Sequence, residues 1–283
     1  MGLPDDFRAA SRKRWGDQAA GWEARRDELR SATMPVSAWM IDAIDPQPGQ
    51  TVLELGAGTG DTGLLAAELI EPGGTLICSD FAPEMLRTAR RRADELGISN
   101  VRFKQIDAET SIDLEAASVD GVLCRWTYML MADPGSALRE TRRVLKPGAR
   151  VALAAWAGPE DNLWSVLPNR EMTERGVIEQ GDPDSPNQFT WADDRLIVEQ
   201  LQAAGFAEHH VEPLEFWMDY RSAADWWDSQ SGMSTRFAAA LRRAADDDVA
   251  AVRAAVERHA ERFTTDAGTV RIPARTWLAW AAA

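Results

Sequence analysis

Gly56, Gly58 and Gly60 stand at alternate positions directly after the apolar run Thr51-Val52-Leu53-Glu54-Leu55. Leu64, Leu65, Ala66, Ala67 and Leu69 follow at spacings that suit a helix. A short apolar run bounded by glycine reads as a buried parallel strand, so the order is strand, glycine loop, helix. Glycines there let the chain turn sharply and let a ligand approach the main chain, and the next helix offers free N–H groups. A dinucleotide fingerprint needs a third glycine where Asp61 stands. An anionic side chain at that place is a poor neighbour for a pyrophosphate and suits a ligand with a cationic amino-acid end. Asp80 lies 20 residues after Gly60, at the end of the next apolar run, Thr75 to Ser79. An acid there can grip two ribose hydroxyls and can also cap the helix opened by Ala82-Pro83.

These residues need a sheet to hold them. Met34 to Ile44 predicts an apolar helix ended by Asp45-Pro46, and 83–96 another that stops at Gly97. Val101 to Ile106 predicts the third strand, closed by Asp107-Ala108. Ser118 to Cys124 predicts the fourth, followed at once by Arg125-Trp126-Thr127-Tyr128. A helix from Gly135 to Leu145 ends at Lys146-Pro147-Gly148 and feeds a fifth strand, Val151 to Trp156. Beyond Gly158 the alternation breaks, and Asp182 to Asn187 reads as a loop. Trp191 to Ala204 predicts a helix, Phe206 to Met218 a sixth strand, and 221–263 helices broken near 229–232 and 246–248. The last strand falls at 269–272 or 277–282. Residues 5–30 carry Phe7, Trp15 and Trp22 among alternating charges, an amphipathic helix or a cover over the site.

The segment Glu54-Leu55-Gly56-Ala57-Gly58-Thr59-Gly60 resembles the first motif of the class I S-adenosylmethionine-dependent methyltransferases. Val119 to Cys124 is similar to that family's fourth-strand motif, and Arg143-Val144-Leu145-Lys146-Pro147-Gly148-Ala149-Arg150 closely resembles its R-V-L-K-P-G-G-R signature, with Ala149 in place of the second glycine. The subfamily implied is that of ubiquinone/menaquinone-biosynthesis methyltransferases. The resemblance implies an α/β, Rossmann-like, doubly wound seven-stranded sheet with its last strand antiparallel. It implies S-adenosylmethionine as cofactor, held by Glu54, Gly56, Ala57, Gly58, Gly60, Asp80, Phe81, Met85, Asp107, Ala108, Arg125 and Trp126. Within that set Glu54 meets the methionine part, Asp80 the ribose, Phe81 and Asp107 the adenine. The expected division is a helical arm or lid over 1–45, the cofactor core over 46–157, a cap insertion over 158–190, core again over 191–220, a helical cap over 221–265 and the final strand over 266–283.

Composition narrows the acceptor. The formal net charge of −14 argues against nucleic acid, whose enzymes carry a basic footprint. Two cysteines, Cys78 and Cys124, fall in apolar strands and imply neither a disulfide framework nor a metal site. Without a membrane-length apolar run or a signal-peptide pattern, the expectation is a cytoplasmic protein whose partner is a small molecule, with a homodimer left open. None of the 12 tryptophans falls between Trp39 and Trp126. Grouped over a cofactor they would wall an apolar pocket; Trp22, Tyr128, Trp156 and Trp226 are the substrate candidates. The expected reaction is direct displacement of a methyl group onto an oxygen or carbon of an apolar, aromatic-tolerant metabolite. The alternatives are methylation of nitrogen or sulfur, a nicotinamide-linked oxidoreductase on the same sheet, and a cofactor-binding partner without catalysis. No base is assigned and no metal is expected. Tyr128 and His259 are the candidates for a base, while His209 and His210 sit early in the sixth strand, toward the far edge.

Overall fold

The computed structural model describes residues 3–182 and 185–283; Pro183 and Asp184, part of the expected 182–187 loop, lie outside the described residues. Seven strands form one sheet: β1 (Thr51–Leu55), β2 (Thr75–Asp80), β3 (Val101–Gln105), β4 (Val119–Arg125), β5 (Leu145–Trp156), β6 (Glu208–Tyr220) and β7 (Val270–Ala282). The order across the sheet is β3-β2-β1-β4-β5-β7-β6. β1 to β5 pair in parallel, and β7 runs antiparallel between β5 and β6. The central strands read as nearly unbroken apolar runs because both faces are covered, as parallel sheets require. Val52, Leu53, Leu76, Cys78, Val122, Leu123, Cys124, Leu153 and Ala155 are fully buried.

The order reverses between β1 and β4, and open α/β sheets bind ligands at the carboxyl ends of strands beside such a switch point. Ten helices surround the sheet among the described residues. On the way to β5 lie α1 (Leu3–Ala24), α2 (Arg26–Ile44), α3 (Asp61–Leu69), α4 (Pro83–Leu96) and α5 (Pro134–Val144); α6 (Leu163–Glu174) and α7 (Asp194–Ala203) precede β6. α8 (Ala223–Met233), α9 (Thr235–Arg243) and α10 (Asp246–Glu261) fall between β6 and β7 and therefore leave the sheet from its carboxyl edge.

The segment 1–45 divides at Arg25. α2 buries Val36, Met40, Ile41 and Ile44 against the sheet and packs on β4 to β7. α1 instead crosses the carboxyl ends of β2 and β3, where Trp15 and Trp22 cover Phe81, Ala82 and Met85. α1 and the cap helix α8 approach backbone to backbone. A side chain begun at Gly21 would lie 1.7 Å from the Gly232 carbonyl oxygen. Trp22 Nε1 donates to the Met233 carbonyl at 3.3 Å, and Arg25 donates to Asp225 at 3.0 Å.

Several boundaries move from the expectation. β7 is one strand over Val270–Ala282, joining the two alternatives for the final strand, with Pro273 in register with Trp217 of β6. β5 begins at Leu145, so Lys146-Pro147-Gly148 lies inside its span, ahead of the Arg150 step that pairs with Gly121. The cap breaks fall at Ser234, which caps α9 through Phe237 N, and at Ala244–Ala245, each a few residues from the expected places. No helix among the described residues is long and apolar enough to cross a membrane.

Candidate active site

The glycine turn forms at the switch point as the spacing demands. Gly56, Gly58 and Gly60 take φ of 63°, 55° and 85°, the left-handed region that glycine enters without penalty. Nothing lies within 4 Å of where a Gly58 side chain would begin, so the turn presents bare backbone to open space. The Gly58 N–H donates to Asp80 Oδ2 at 3.0 Å and Ala82 N–H to Oδ1 at 2.8 Å. Asp80 thus ties the glycine turn to the start of α4 while each oxygen keeps a lone pair. Burial pushes its carboxyl up to about 6, against the pull of the Ala82, Gly58 and Phe81 backbone donors.

Glu54 is 3% exposed, and its Oε1 accepts from Gly63 N at 2.8 Å. Burial dominates here as well and pushes the carboxyl up to about 8; the Gly63 donor and the Arg125 charge oppose it only in part. Asp61 opens α3, with Oδ2 taking the Thr59 hydroxyl at 2.8 Å. Its Oδ1 is buried with no hydrogen-bond partner. Arg125, at the end of β4, places Nη2 3.7 Å from Asp61 Oδ2 and Nη1 2.7 Å from Thr33 Oγ1 and 3.2 Å from Ser37 Oγ.

Trp126 holds φ at 54°, uncommon for a non-glycine residue, so this position of the rim carries local backbone strain. Its indole stacks on Trp156 at 4.2 Å and 8°, with Phe216 at 6.3 Å from Trp126 and Trp164 at 5.2 Å from Trp156. Trp126 Nε1 donates to Thr276 Oγ1 at 2.9 Å. Thr276 in turn donates to the Ala155 carbonyl at 2.7 Å, so β7 and β5 together set the ring. An aromatic wall therefore stands beside the glycine turn.

The remaining expected residues divide. Phe81, Ala82 and Met85 lie under α1, with Met85 2% exposed. Ala57 and Ala108 are buried in the main core. Asp107 faces Arg8 and Arg12 of α1, its Oδ2 3.6 Å from a guanidinium nitrogen of each. Tyr128 does not face the turn. It is 2% exposed, bonds Thr141 at 2.6 Å and stacks on Trp191, because the short 3₁₀ turn at Tyr128–Leu130 swings it under α5. Burial raises its hydroxyl well above the ordinary value, and its place under α5 suits neither a base nor a substrate contact. His259 binds Glu171 at 2.8 Å and joins α10 to α6 rather than meeting the rim. Trp226 is wholly buried and spends its N–H on the Trp164 carbonyl at 2.8 Å, which welds the cap to α6. Trp22 is shared between α1 and α8, and Trp156 belongs to the aromatic wall. Sequence reasoning missed Thr33 and Ser37. The available signal was two hydroxyls four apart on the apolar face of a predicted helix.

Comparison with known proteins agrees with this geometry. A family model described as a methyltransferase domain matches residues 46–179. An uncharacterised 37.1 kDa protein of transposon Tn4556 from Streptomyces fradiae is 39% identical over 189 residues, 66% of this chain and 52% of that protein. A nocamycin O-methyltransferase from Saccharothrix syringae is 31% identical, covering 48% of this chain and 49% of that one. A demethylmenaquinone methyltransferase from Thermus thermophilus is 36% identical, covering 46% and 59%. The chain spans about half the length of these curated relatives, 49% to 59%. The YcgJ protein from Bacillus subtilis shares the fold, with a TM-score of 0.58 at 23% identity over 87% of this chain and 97% of that one. S-adenosylmethionine is the cofactor of this family, and the residues present fit it: a glycine turn open at Gly58, an acid at the end of β2, and an unpartnered buried oxygen on Asp61. Residues 46–179 are thus a methyltransferase domain, and its glycine turn and strand-end acids are of the kind that holds S-adenosylmethionine.

Proposed function

We propose that this protein transfers a methyl group from S-adenosylmethionine to an oxygen or carbon of an apolar, flat small molecule. The observation that carries the reading is the shared rim, where the open glycine turn and the stacked Trp126–Trp156 pair meet at the carboxyl ends of β1, β4 and β5. Relatives named as a nocamycin O-methyltransferase and as ubiquinone/menaquinone biosynthesis C-methyltransferases support both acceptor atoms. When bound, the cofactor supplies a sulfonium methyl already activated for displacement.

The chain's own residues then have four tasks. Asp80 accepts the ribose hydroxyls on its free lone pairs while fixing the turn. Glu54, Asp61 and Arg125 receive the amino-acid end. The aromatic wall aligns the acceptor and excludes water, the main requirement of a direct displacement. α1 and the cap close over the rim from two sides, joined at Gly21, Trp22 and Arg25. No base is assigned; an acceptor that is already ionised needs none.

The test is titration with S-adenosylmethionine and S-adenosylhomocysteine, then incubation with methyl-labelled cofactor and a panel of phenols, quinones and amines. Binding with transfer to a phenol or quinone is expected. No binding of either compound at millimolar concentration would end the reading.

A further inference from the structure

Between α2 and the rim lies a polar group buried inside otherwise apolar packing. Thr33 and Ser37 are 4% and 2% exposed, one turn apart on the helix face that also buries Val36, Met40 and Ile41. A guanidinium only donates, so both hydroxyl oxygens accept from Arg125 Nη1, at 2.7 Å and 3.2 Å. Thr33 passes its own hydrogen to the Leu29 carbonyl at 2.8 Å, and Ser37 lies 2.9 Å from Thr62 Oγ1 at the start of α3. These bonds fix the plane of the guanidinium.

Nη2 is thereby held 3.7 Å from Asp61 Oδ2, within range of charge attraction but too far for a hydrogen bond. Asp61 Oδ1 is buried with no partner, and such an acceptor is costly to leave unmade. A cationic donor and an unsatisfied anionic acceptor thus stand side by side. One chemical group completes both at once, an α-amino acid zwitterion, whose carboxylate meets the guanidinium and whose ammonium meets Asp61. α2 lies outside residues 46–179, the span matched by the methyltransferase-domain model.

We infer that Thr33 and Ser37 are positioning residues for the amino-acid end of the cofactor, holding Arg125 against Asp61 so that an ammonium and a carboxylate are met together. This rests on the proposed cofactor reading and adds to it a role for the helix ahead of the domain.

The experiment titrates the full chain with S-adenosylhomocysteine and with 5′-methylthioadenosine, which keeps the nucleoside and thioether but lacks the amino-acid end. In the Thr33→Val/Ser37→Ala double variant, S-adenosylhomocysteine is expected to weaken by roughly tenfold or more, as for lost charge-assisted hydrogen bonds. 5′-Methylthioadenosine should stay within about twofold of the unaltered chain, since it makes none of those contacts. Thr33→Ser, which keeps the hydroxyl, should retain tight binding. Equal weakening of both compounds, or of neither, overturns the inference and leaves the cofactor reading standing. Failure of the unaltered chain to bind either compound overturns both. If melting shows the double variant unfolded, Thr33→Val and Ser37→Ala singly carry the same comparison.

Discussion

Glu54 gives the cofactor reading a proton count. Its carboxyl is fully enclosed at the end of β1, and burial pushes it up to about 8. At pH 7, one unit below that value, about nine-tenths of the group is protonated, since one unit sets a ratio of about ten to one. An ammonium brought against it favours the carboxylate, because opposite charge within a few ångströms lowers an acid's pKa. Binding at pH 7 should then release protons, at most about 0.9, with that ceiling falling to about half at pH 8 and toward zero well above it. Asp80, pushed up to about 6, adds only about a tenth of a proton at pH 7. The assay is calorimetry of S-adenosylhomocysteine binding in phosphate and in Tris, whose ionisation enthalpies differ; the slope of heat against that enthalpy is the proton number. The sign follows by linkage. The free form holds the extra proton, so affinity climbs with pH up to about 8 and is flat above. For the same reason the free protein loses stability as pH rises from about 4.5 to about 8, the interval in which the folded state binds more protons than the unfolded. Glu54→Gln should remove most of the buffer dependence, leaving the small Asp80 share, and flatten both profiles above about pH 7. Tight binding with identical heats in the two buffers at pH 7 would refute the argument.

Three further outcomes follow from particular contacts. Asp80→Ala should weaken cofactor binding by about 1–3 kcal/mol and also loosen the turn, since Gly58 and Ala82 lose their acceptor; unchanged affinity by titration counts against the ribose role. Gly21→Ala would set a methyl 1.7 Å from the Gly232 carbonyl, forcing α1 off the cap at about 1–3 kcal/mol of overpacking. Thermal melting and limited proteolysis within α1 read this out, and an unchanged melting point with intact protection would contradict it. Asp225 tethers the cap to Arg25 and Arg221. Burial pushes its carboxyl up, but the Arg221 and Arg25 bonds outweigh that and bring it down to about 2. The tether's stabilisation is therefore present above its ordinary 3.8 and lost as pH falls toward 2. Asp225→Asn should lower the melting point at pH 6 and leave less further loss on acidification; identical acid profiles for the two chains would remove the tether from the account.

The cofactor half was legible because its signals are local. A left-handed turn needs glycine, a doubly covered strand needs an apolar run, and an acid at a strand end has a fixed place on the rim. So Gly56, Gly58, Gly60, Glu54, Asp80 and Arg125 were named from spacing and resemblance, and they do converge at the switch point. The second half was less legible, because its tryptophans carry no such marker. Trp126, Trp156 and Trp226 are alike on the page, yet the first two stack at the rim and the third disappears into the cap.

By itself, then, the sequence determined the strand–glycine turn–helix unit, the places of the first five strands along the chain and the chemical character of the rim. Each depends on backbone conformation or on side chains a few residues apart. Only the tertiary structure decided that α2 reaches Arg125 through Thr33 and Ser37, that Tyr128 turns under α5, and that α1 docks on α8 at Gly21. Those contacts join residues that are distant along the chain and depend on how whole helices pack, and no short-range pattern encodes that packing.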